Sequence, residues 1–397
     1  MCAAIYAAQK NRKLKIALIE ALDRVGKKLI TTGNGRCNIT NRDIAISRYH
    51  GGDTAAAQKI LSRFPVEEAV RFFSSIGVEI VFSEDGRAYP SSFQAASVVD
   101  ALRFSLSEYG IETLTETRVT DIVPTRNGIR LSTSKGNIEA SSVILASGLL
   151  AGGPKIGSDG SVFNLLSKMG YKSSKLTPSL VQLKTATDFV RHVKGIRFDC
   201  LVSLVRDGKK LRSEYGELLF TEYGLSGPPI FQLSREVSRK NGNFEISLDL
   251  LPEMGSSDLV ELLRQRRQNL RTRTSEEFLT GFLNKRVGQV ILKQCGVPSG
   301  IPGGDIEDPK LILIARQIKD LRFGVTGTTG MTNCQVTAGG ISLSEFDGFS
   351  LESLRHPGLF AAGELLDVDG DCGGFNLQWA WSSAMAAAVG AVKKCSR

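Results

Sequence analysis

The stretch Gly363–Trp381, GELLDVDGDCGGFNLQWAW, gathers residue types that can do chemistry at close spacing. Three acids, Glu364, Asp367 and Asp369, fall within six positions, and Gly370, Gly373 and Gly374 follow. Carboxylates set this densely can accept hydrogen bonds from sugar-like hydroxyls. Glycines ahead of a helix let backbone N–H groups and the positive end of the helix dipole converge on one point, which suits a phosphate or an anionic flavin ring. Two elements must position them. Gly358–Ala362 (GLFAA) reads as a buried strand, and the small-residue run from Phe375 to Val392 reads as a helix. Strand, glycine turn and helix in that order describe a cofactor pocket.

A second half of such a pocket lies near the start of the chain. Met1–Lys10 has helical patterning, and Lys15–Glu20 (KIALIE) reads as a strand ending in an acid. Dinucleotide folds use such an acid on the adenosine ribose, with a Gly-x-Gly-x-x-Gly turn about 20 residues earlier. Here no glycine precedes Gly26. The expectation is that residue 1 is an internal methionine and that a first strand and its phosphate turn belong ahead of it. The alternative, a helix and a strand that ends in Glu by accident, stays open on these residues alone. The loop Gly26–Asn41 (GKKLITTGNGRCNITN) then offers Gly33 and Gly35 for close backbone approach, positive charge on Lys27, Lys28 and Arg36, and hydrogen bonds from Asn34, Asn38 and Asn41. Ile138–Leu145 reads as a strand running into Ala146, Ser147 and Gly148, small enough for a ligand to crowd the backbone.

Composition narrows the classes. A chain of 397 residues holds about two domains, or three. Its longest membrane-like run, Ala384–Val392, is too short to span a bilayer, so no membrane partner is expected. Seven scattered cysteines without a C-x-x-C pair exclude a disulfide framework, a thiolate zinc site and a dithiol centre, and point to a reducing cytoplasm. Three distant histidines, His50, His192 and His356, read as surface or loop residues, and no metal site is expected. The net charge of +9 fits an anionic partner, nucleotide cofactors included. The run Arg264–Thr274 (RQRRQNLRTRT) lacks interleaved aromatics, so it reads as a solvated helix face rather than a nucleic-acid surface. Between Leu180 and Leu251 alternation suggests strands, then helical patterns cover Asp258–Leu270, Glu276–Phe282 and Lys310–Lys319. The expected division is 1–174 and 327–397 as one nucleotide-binding domain, interrupted by a β-rich and helical insert at 175–326.

Several long motifs carry a resemblance: TTGNGRCNITN (Thr31–Asn41), VILASG (Val143–Gly148), GSDGSVFNLLSKMGY (Gly157–Tyr171), FTEYGLSGPPIFQLSR (Phe220–Arg235), TGTTGMTNCQVTAGGI (Thr326–Ile341) and GLFAAGELLDVDGDCGGFNLQWAWSSA (Gly358–Ala384). Together they resemble the YhiN-type flavoproteins, the aminoacetone oxidase family. The resemblance implies an α/β, Rossmann-like FAD-binding domain of glutathione-reductase type, interrupted by a β-barrel-like and helical insert. It implies Glu20 on the adenosine ribose and the Val119 backbone at the adenine. Lys28, Gly33, Gly35, Arg36, Cys37 and Asn38 would line the pyrophosphate, ribityl and ring region, with Ala146, Ser147 and Gly148 beside them. Gly363, Glu364 and Asp369 would border the ribityl chain, and Gly373, Gly374, Phe375, Asn376 and Leu377 would bring the helix start to the flavin pyrimidine edge. Two departures stand out. Ser147-Gly148-Leu149 replaces the usual Thr-Gly-Gly, and the first strand and phosphate turn are absent, so the chain as written is expected to bind FAD weakly.

The implied activity is hydride transfer to or from flavin N5 on a small-molecule substrate, with NAD(P)H a candidate electron donor. Relatives include aminoacetone oxidases and bile-acid reductases. No residue compels a general acid or base, and Cys37 and Cys372 read as packed small residues before redox groups. Two other classes compete: a non-catalytic interaction protein with a degenerate flavin site, and an RNA-associated flavoprotein.

Overall fold

The computed structural model describes residues 1–185 and 189–396. Two units separate: Met1–Ser179 with Gly330–Arg397, and Leu180–Thr329.

In the first unit, short aliphatic strands form two parallel pairs. Ala17–Ile19 lies beside Glu112–Leu114, and Val143–Leu145 beside Leu359–Ala361. Among the described residues each pair stands as its own two-stranded sheet. The expected strand Ile138–Leu145 is in fact two. Gly136–Ala140 closes an antiparallel meander with Val119–Thr125 and Gly128–Thr133, and Val143–Leu145 joins the parallel pair. The polar Ser141 and Ser142 separate runs that bury different faces. Leu359, Phe360 and Ala361 are all fully buried, as a parallel strand covered on both faces requires.

The helix Phe375–Cys395 runs through this core, with Ser382, Ser383, Met385 and Ala386–Ala388 sealed from solvent. Small side chains permit that depth: a Cβ on Gly390 would lie 2.7 Å from the Phe360 ring. Trp379 and Trp381, two apart, leave the helix in different directions and are both buried. The Trp379 indole donates to the Gly363 carbonyl at 3.1 Å, and Trp381 to the Ile39 carbonyl at 2.9 Å. Each ring therefore fills core space and ties the helix to one wall of the glycine turn. Helices Thr54–Arg63 and Val66–Ser75 flank it. Pro65 is the extended cap before the second helix.

The second unit is a closed six-stranded barrel of strands Leu183–Thr185, Gly224–Ser226, Lys209–Phe220, Arg197–Arg206, Phe244–Asp249 and Leu321–Thr328, in that spatial order. Alternation is clearest in Phe244–Asp249, whose residues point in and out by turns. Sequence patterning misses a helix here, Pro228–Arg239. Its two prolines occupy the first turn, where no N–H is needed, and Ile230, Leu233 and Ser234 bury one face. Glu276–Phe282 is not a helix: only the 3₁₀ turn Ser275–Glu277 forms, and the helix starts later, at Lys285–Gln294. The basic run is neither a plain solvated face nor an open patch. Arg264 holds Asp308 through two bonds of 2.9 and 2.7 Å, Arg266 donates to the Phe278 and Thr280 carbonyls, and Arg267 to the Ile306 carbonyl. These arginines staple the loops that cross their helix.

Gln378 is fully buried, with its Oε1 accepting from the Thr40 hydroxyl at 2.5 Å and its Nε2 donating to the Phe64 carbonyl and to Ser382. Gln378→Leu keeps the volume but leaves the buried Thr40 hydroxyl without its partner, whereas Ser382 and the Phe64 carbonyl keep their bond to each other. Unfolding by urea should show a stability lower by about 1–3 kcal/mol, the cost of one orphaned polar group.

Candidate functional site

The C-terminal ends of the second parallel pair open the site, the position at which α/β sheets hold ligands. Ala362 N–H donates to the Leu145 carbonyl at 2.9 Å, which sets Gly363–Glu364 beside Ala146–Gly148. Ala146 and Ser147 are exposed there. Gly148 has φ +65, and its missing Cβ would stand 3.8 Å from Glu364 Oε2 and 4.0 Å from Lys28 Nζ. Lys28 and Glu364 form an ion pair, and Glu364 Oε1 also accepts from the Thr337 N–H at 2.8 Å. Leu149 is fully buried, so the loop turns inward after Gly148. Thr337, which no sequence signal marks, shapes that loop: its hydroxyl accepts the Leu150 and Ala151 N–H groups.

The loop before it is wound from left-handed residues. Gly33, Asn34, Gly35 and Cys37 have φ of +58, +53, +81 and +59. A Cβ on Gly33 would press to 2.8 Å from the Asn38 N–H, whereas Gly35 faces open space. Arg36 is exposed beside it. The Cys37 thiol is fully buried, and burial pushes its pKa up to about 12. Its side chain is packing, and only its backbone faces the loop's concave side. Asn38 has its Oδ1 sealed from solvent and without a hydrogen-bond partner. That atom would lie 2.9 Å from a Cβ on Gly374, whose φ is +100. The same Cβ would overlap the Thr40 carbonyl, so glycine is required.

Gly374 caps the helix Phe375–Cys395, and no side chain caps it. Asn376 turns back instead: its Oδ1 takes the Gly370 N–H and its Nδ2 the Gly370 carbonyl, both at 2.8 Å. Phe375 is buried edge-on to Tyr49, their centroids 6.1 Å apart. Leu377 is half-buried in the same first turn. Phe375 and Asn376 therefore offer the site their backbone, while their side chains fix the turn. Asn41 Nδ2 holds the Gly373 carbonyl at 2.8 Å.

Of the three acids read from the sequence, Glu364, Asp367 and Asp369, only Glu364 borders the opening. Asp367 and Asp369 are 5% and 1% exposed. The strand Val368–Gly370 pairs with Tyr49–Gly51, and alternation sends Asp367, Asp369 and Asp371 to one face, inside the protein. Ser179 donates to Asp369 at 3.3 Å and Gly52 N–H to Asp367 at 3.2 Å. Asp369, read from sequence as a cofactor contact, is an interior anchor. Asp371 was not singled out, yet it is 4% exposed and meets His50 Nε2 at 3.0 Å and Arg48 at 3.4 Å. His50 is thus not a plain surface residue. Nothing in the spacing of positions 50 and 371 could signal the pair.

At the other end, Glu20 follows the strand Ala17–Ile19. Its Oε1 accepts the Leu22 N–H at 2.9 Å and lies 3.8 Å from the Cβ position of Gly157. Its carbonyl takes the Thr117 N–H at 2.9 Å. That bond carries the chain to Val119, where a register shift interrupts the ladder with Thr133. The structure so ties Glu20 to Thr117, two residues before Val119, and groups Lys28 with Gly148 and Glu364, and Asn38 with Gly374. Among the described residues no cluster of His, Cys, Asp and Glu could hold a metal, and no helix is long and apolar enough to cross a membrane.

The family profile described as HI0933-like protein Rossmann domain matches residues 1–390. The chain belongs to this family of FAD-dependent oxidoreductases. It is 34% identical over 395 residues to a 3-dehydro-bile acid delta(4,6)-reductase of Clostridium scindens, covering 99% of this chain and 96% of that one. It is 24% identical over 395 residues to a ribosomal RNA dihydrouridine synthase of Haemophilus influenzae, covering 98% and 95%. Among solved structures, a 3-ketosteroid delta1-dehydrogenase from Sterolibacterium denitrificans aligns over all of this chain and 97% of its own, at a TM-score of 0.50 and 13% identity. A quinol-fumarate reductase with menaquinol aligns over all of this chain and 69% of its own, at 0.51 and 17%. These two likenesses concern the fold alone. Membership of an oxidoreductase family stands against the non-catalytic alternative.

The residues present fit the family's cofactor. An uncapped helix start, a lone buried acceptor on Asn38 and a glycine cradle suit the edge of a ring with N–H and carbonyl groups. Thiol chemistry does not enter. None of the seven cysteines is in a disulfide, and burial also raises the Cys372 thiol above its ordinary value. Both Cys37 and Cys372 remain protonated at neutral pH. Titration of the native protein with a thiol reagent at pH 8 should therefore modify the exposed Cys395 rapidly. The buried thiols should react only after denaturant is added.

Proposed function

We propose that the chain reduces a ring carbon–carbon double bond conjugated to a carbonyl, with FAD held along the three groups of residues described above. The observation that carries this reading is the unpartnered Asn38 Oδ1 over Gly374 at the uncapped helix start. A buried acceptor left alone costs stability unless a ligand N–H meets it. Two named activities among the relatives support the substrate class: a delta(4,6)-reductase and a dihydrouridine synthase both saturate a ring double bond.

When bound, FAD supplies a two-electron carrier that passes hydride at N5. The protein's own residues do the rest. Glu20 accepts the adenosine ribose hydroxyls, and the Val119 backbone meets the adenine. Lys28, oriented by Glu364, brings positive charge beside Gly148 toward the phosphates and ribityl chain. The N–H groups of the first turn after Gly374 stabilise negative charge at the pyrimidine edge. In this reading a reduced nicotinamide nucleotide supplies the electrons. Seven cysteines, none in a disulfide among the described residues, also support a cytoplasmic setting.

Against the weak binding expected from the missing phosphate turn, the uncapped helix start after Gly374 and the Lys28–Glu364 pair support retention, so the purified protein, reconstituted with FAD, should be yellow, with flavin absorbance retained on gel filtration. Gly374→Ala places a Cβ against the Thr40 carbonyl and should abolish retention. Lys28→Met should keep the fold and weaken FAD by about tenfold, the effect of losing one charge-assisted contact. Wild-type protein that stays colourless after reconstitution would sink the proposal.

A ribosomal RNA substrate is the second reading, favoured by the dihydrouridine synthase relatives. It requires RNA binding that falls steeply with salt. Arg264, Arg266 and Arg267 are bound internally and do not furnish the basic surface it needs.

A further inference from the structure

The small sheet beside the glycine turn has two unequal faces. Its central strand, Arg87–Pro90, lies between Thr40–Asn41 and Ile80–Phe82, antiparallel to both. Ala88 and Pro90 are buried on the inner face, so alternation turns Arg87 and Tyr89 outward. The register pairs Asn41 with Arg87 and Val81 with Tyr89, which puts all four on that outer face.

One end of this face is roofed by the turn that the preceding reading gives to the flavin edge. Asn41 holds the Gly373 carbonyl at 2.8 Å, and Arg87 Nε lies 3.6 Å from the Cβ position of Gly373. Asp85 steadies the same Nε at 3.2 Å. The other end is open and apolar. Val81 is 37% exposed and Phe93 49% exposed, and the Phe93 ring stacks on Tyr89 with centroids 5.7 Å apart and a tilt of 33°.

Phe93 also has φ +51, a conformation that bulky residues adopt only under strain. Its N–H closes a turn on the Pro90 carbonyl at 2.8 Å. Glycine or asparagine would make that turn without strain, and neither would leave a large ring half in water. A strained backbone that holds an aromatic ring in solvent, on the face whose other end meets the glycine turn, marks a contact surface.

We infer that this outer face is the substrate bed. Tyr89, Phe93 and Val81 take a flat, apolar ring system, and Arg87, at the flavin end, takes its carbonyl or carboxylate oxygen. The inference rests on the flavin reductase reading and names where its substrate lies. The occupant is a small fused-ring molecule, because an aromatic stack with one terminal cation matches an apolar body carrying one polar end.

Equilibrium dialysis of a 3-oxo-4-ene steroid against the FAD-loaded protein tests it. Phe93→Gly removes the ring and suits the left-handed turn, so its thermal midpoint should not fall and its flavin absorbance should match wild type. Its Kd for the steroid should rise about tenfold, the loss of one aromatic contact. Tyr89→Ser should weaken binding comparably, again with FAD retained. Wild-type steroid affinity in both variants overturns the bed, as does a wild-type protein that binds FAD but no steroid. Displacement of the steroid by none of the tested compounds except a uridine-containing RNA oligomer would overturn the small-molecule occupant. Failure to retain FAD in wild type strikes the preceding reading instead, and the two failures are read separately.

Discussion

The close approach of the Gly373–Gly374 backbone to the Thr40 carbonyl is the constraint on which the first unit's chemistry depends. A side chain at Gly374 would push the helix start away from the loop that carries Asn38. Buried hydrogen bonds clamp the approach from several directions. Gln378 reaches Thr40 and Phe64, Trp381 reaches Ile39, and Asn41 and Asn376 grip the turn itself. Each of these bonds is internal, so solvent does not compete for it. The result is a rigid helix start with its own N–H groups left for a ligand.

That rigidity explains how side chains far apart in sequence act as one site. Lys28 and Glu364 pair only because the parallel strands end together and the loop after Gly26 folds over them. Asp371 meets His50 because Val368–Gly370 runs beside Tyr49–Gly51. On the proposed function, the positive charge of Lys28, the orphan acceptor on Asn38 and the backbone dipoles after Gly374 serve one cofactor. Such preorganised electrostatics favour an anionic cofactor and the negative charge its reduction creates.

The second unit follows different rules. Its barrel closes through alternating strands, and Arg264, Arg266 and Arg267 of its basic run are held by carbonyls and by Asp308, while Arg271 and Arg273 stay exposed. A basic sequence run is therefore a poor guide to a basic surface. Arginine offers five donors, and a loop-rich unit has many carbonyls in need of one.

By itself the sequence determined the elements that local rules specify. The buried strand before Gly363, the glycine turn, the long small-residue helix and Glu20 at a strand end follow from periodicity and from the special φ of glycine. The long motifs also identify the family. Other features were decided only by tertiary structure. Ile138–Leu145 divides because its halves pair with different partners, and Pro228–Arg239 is helical because the barrel buries one of its faces. Asp367 and Asp369 look like Glu364 in the sequence, but strand pairing sends them inside while Glu364 stays at the rim. His50 with Asp371, and Arg87 with Gly373, have no sequence signal at all. The physical reason is common to all of these. Backbone conformation is written in neighbouring residues, whereas burial and pairing depend on which distant strand arrives alongside.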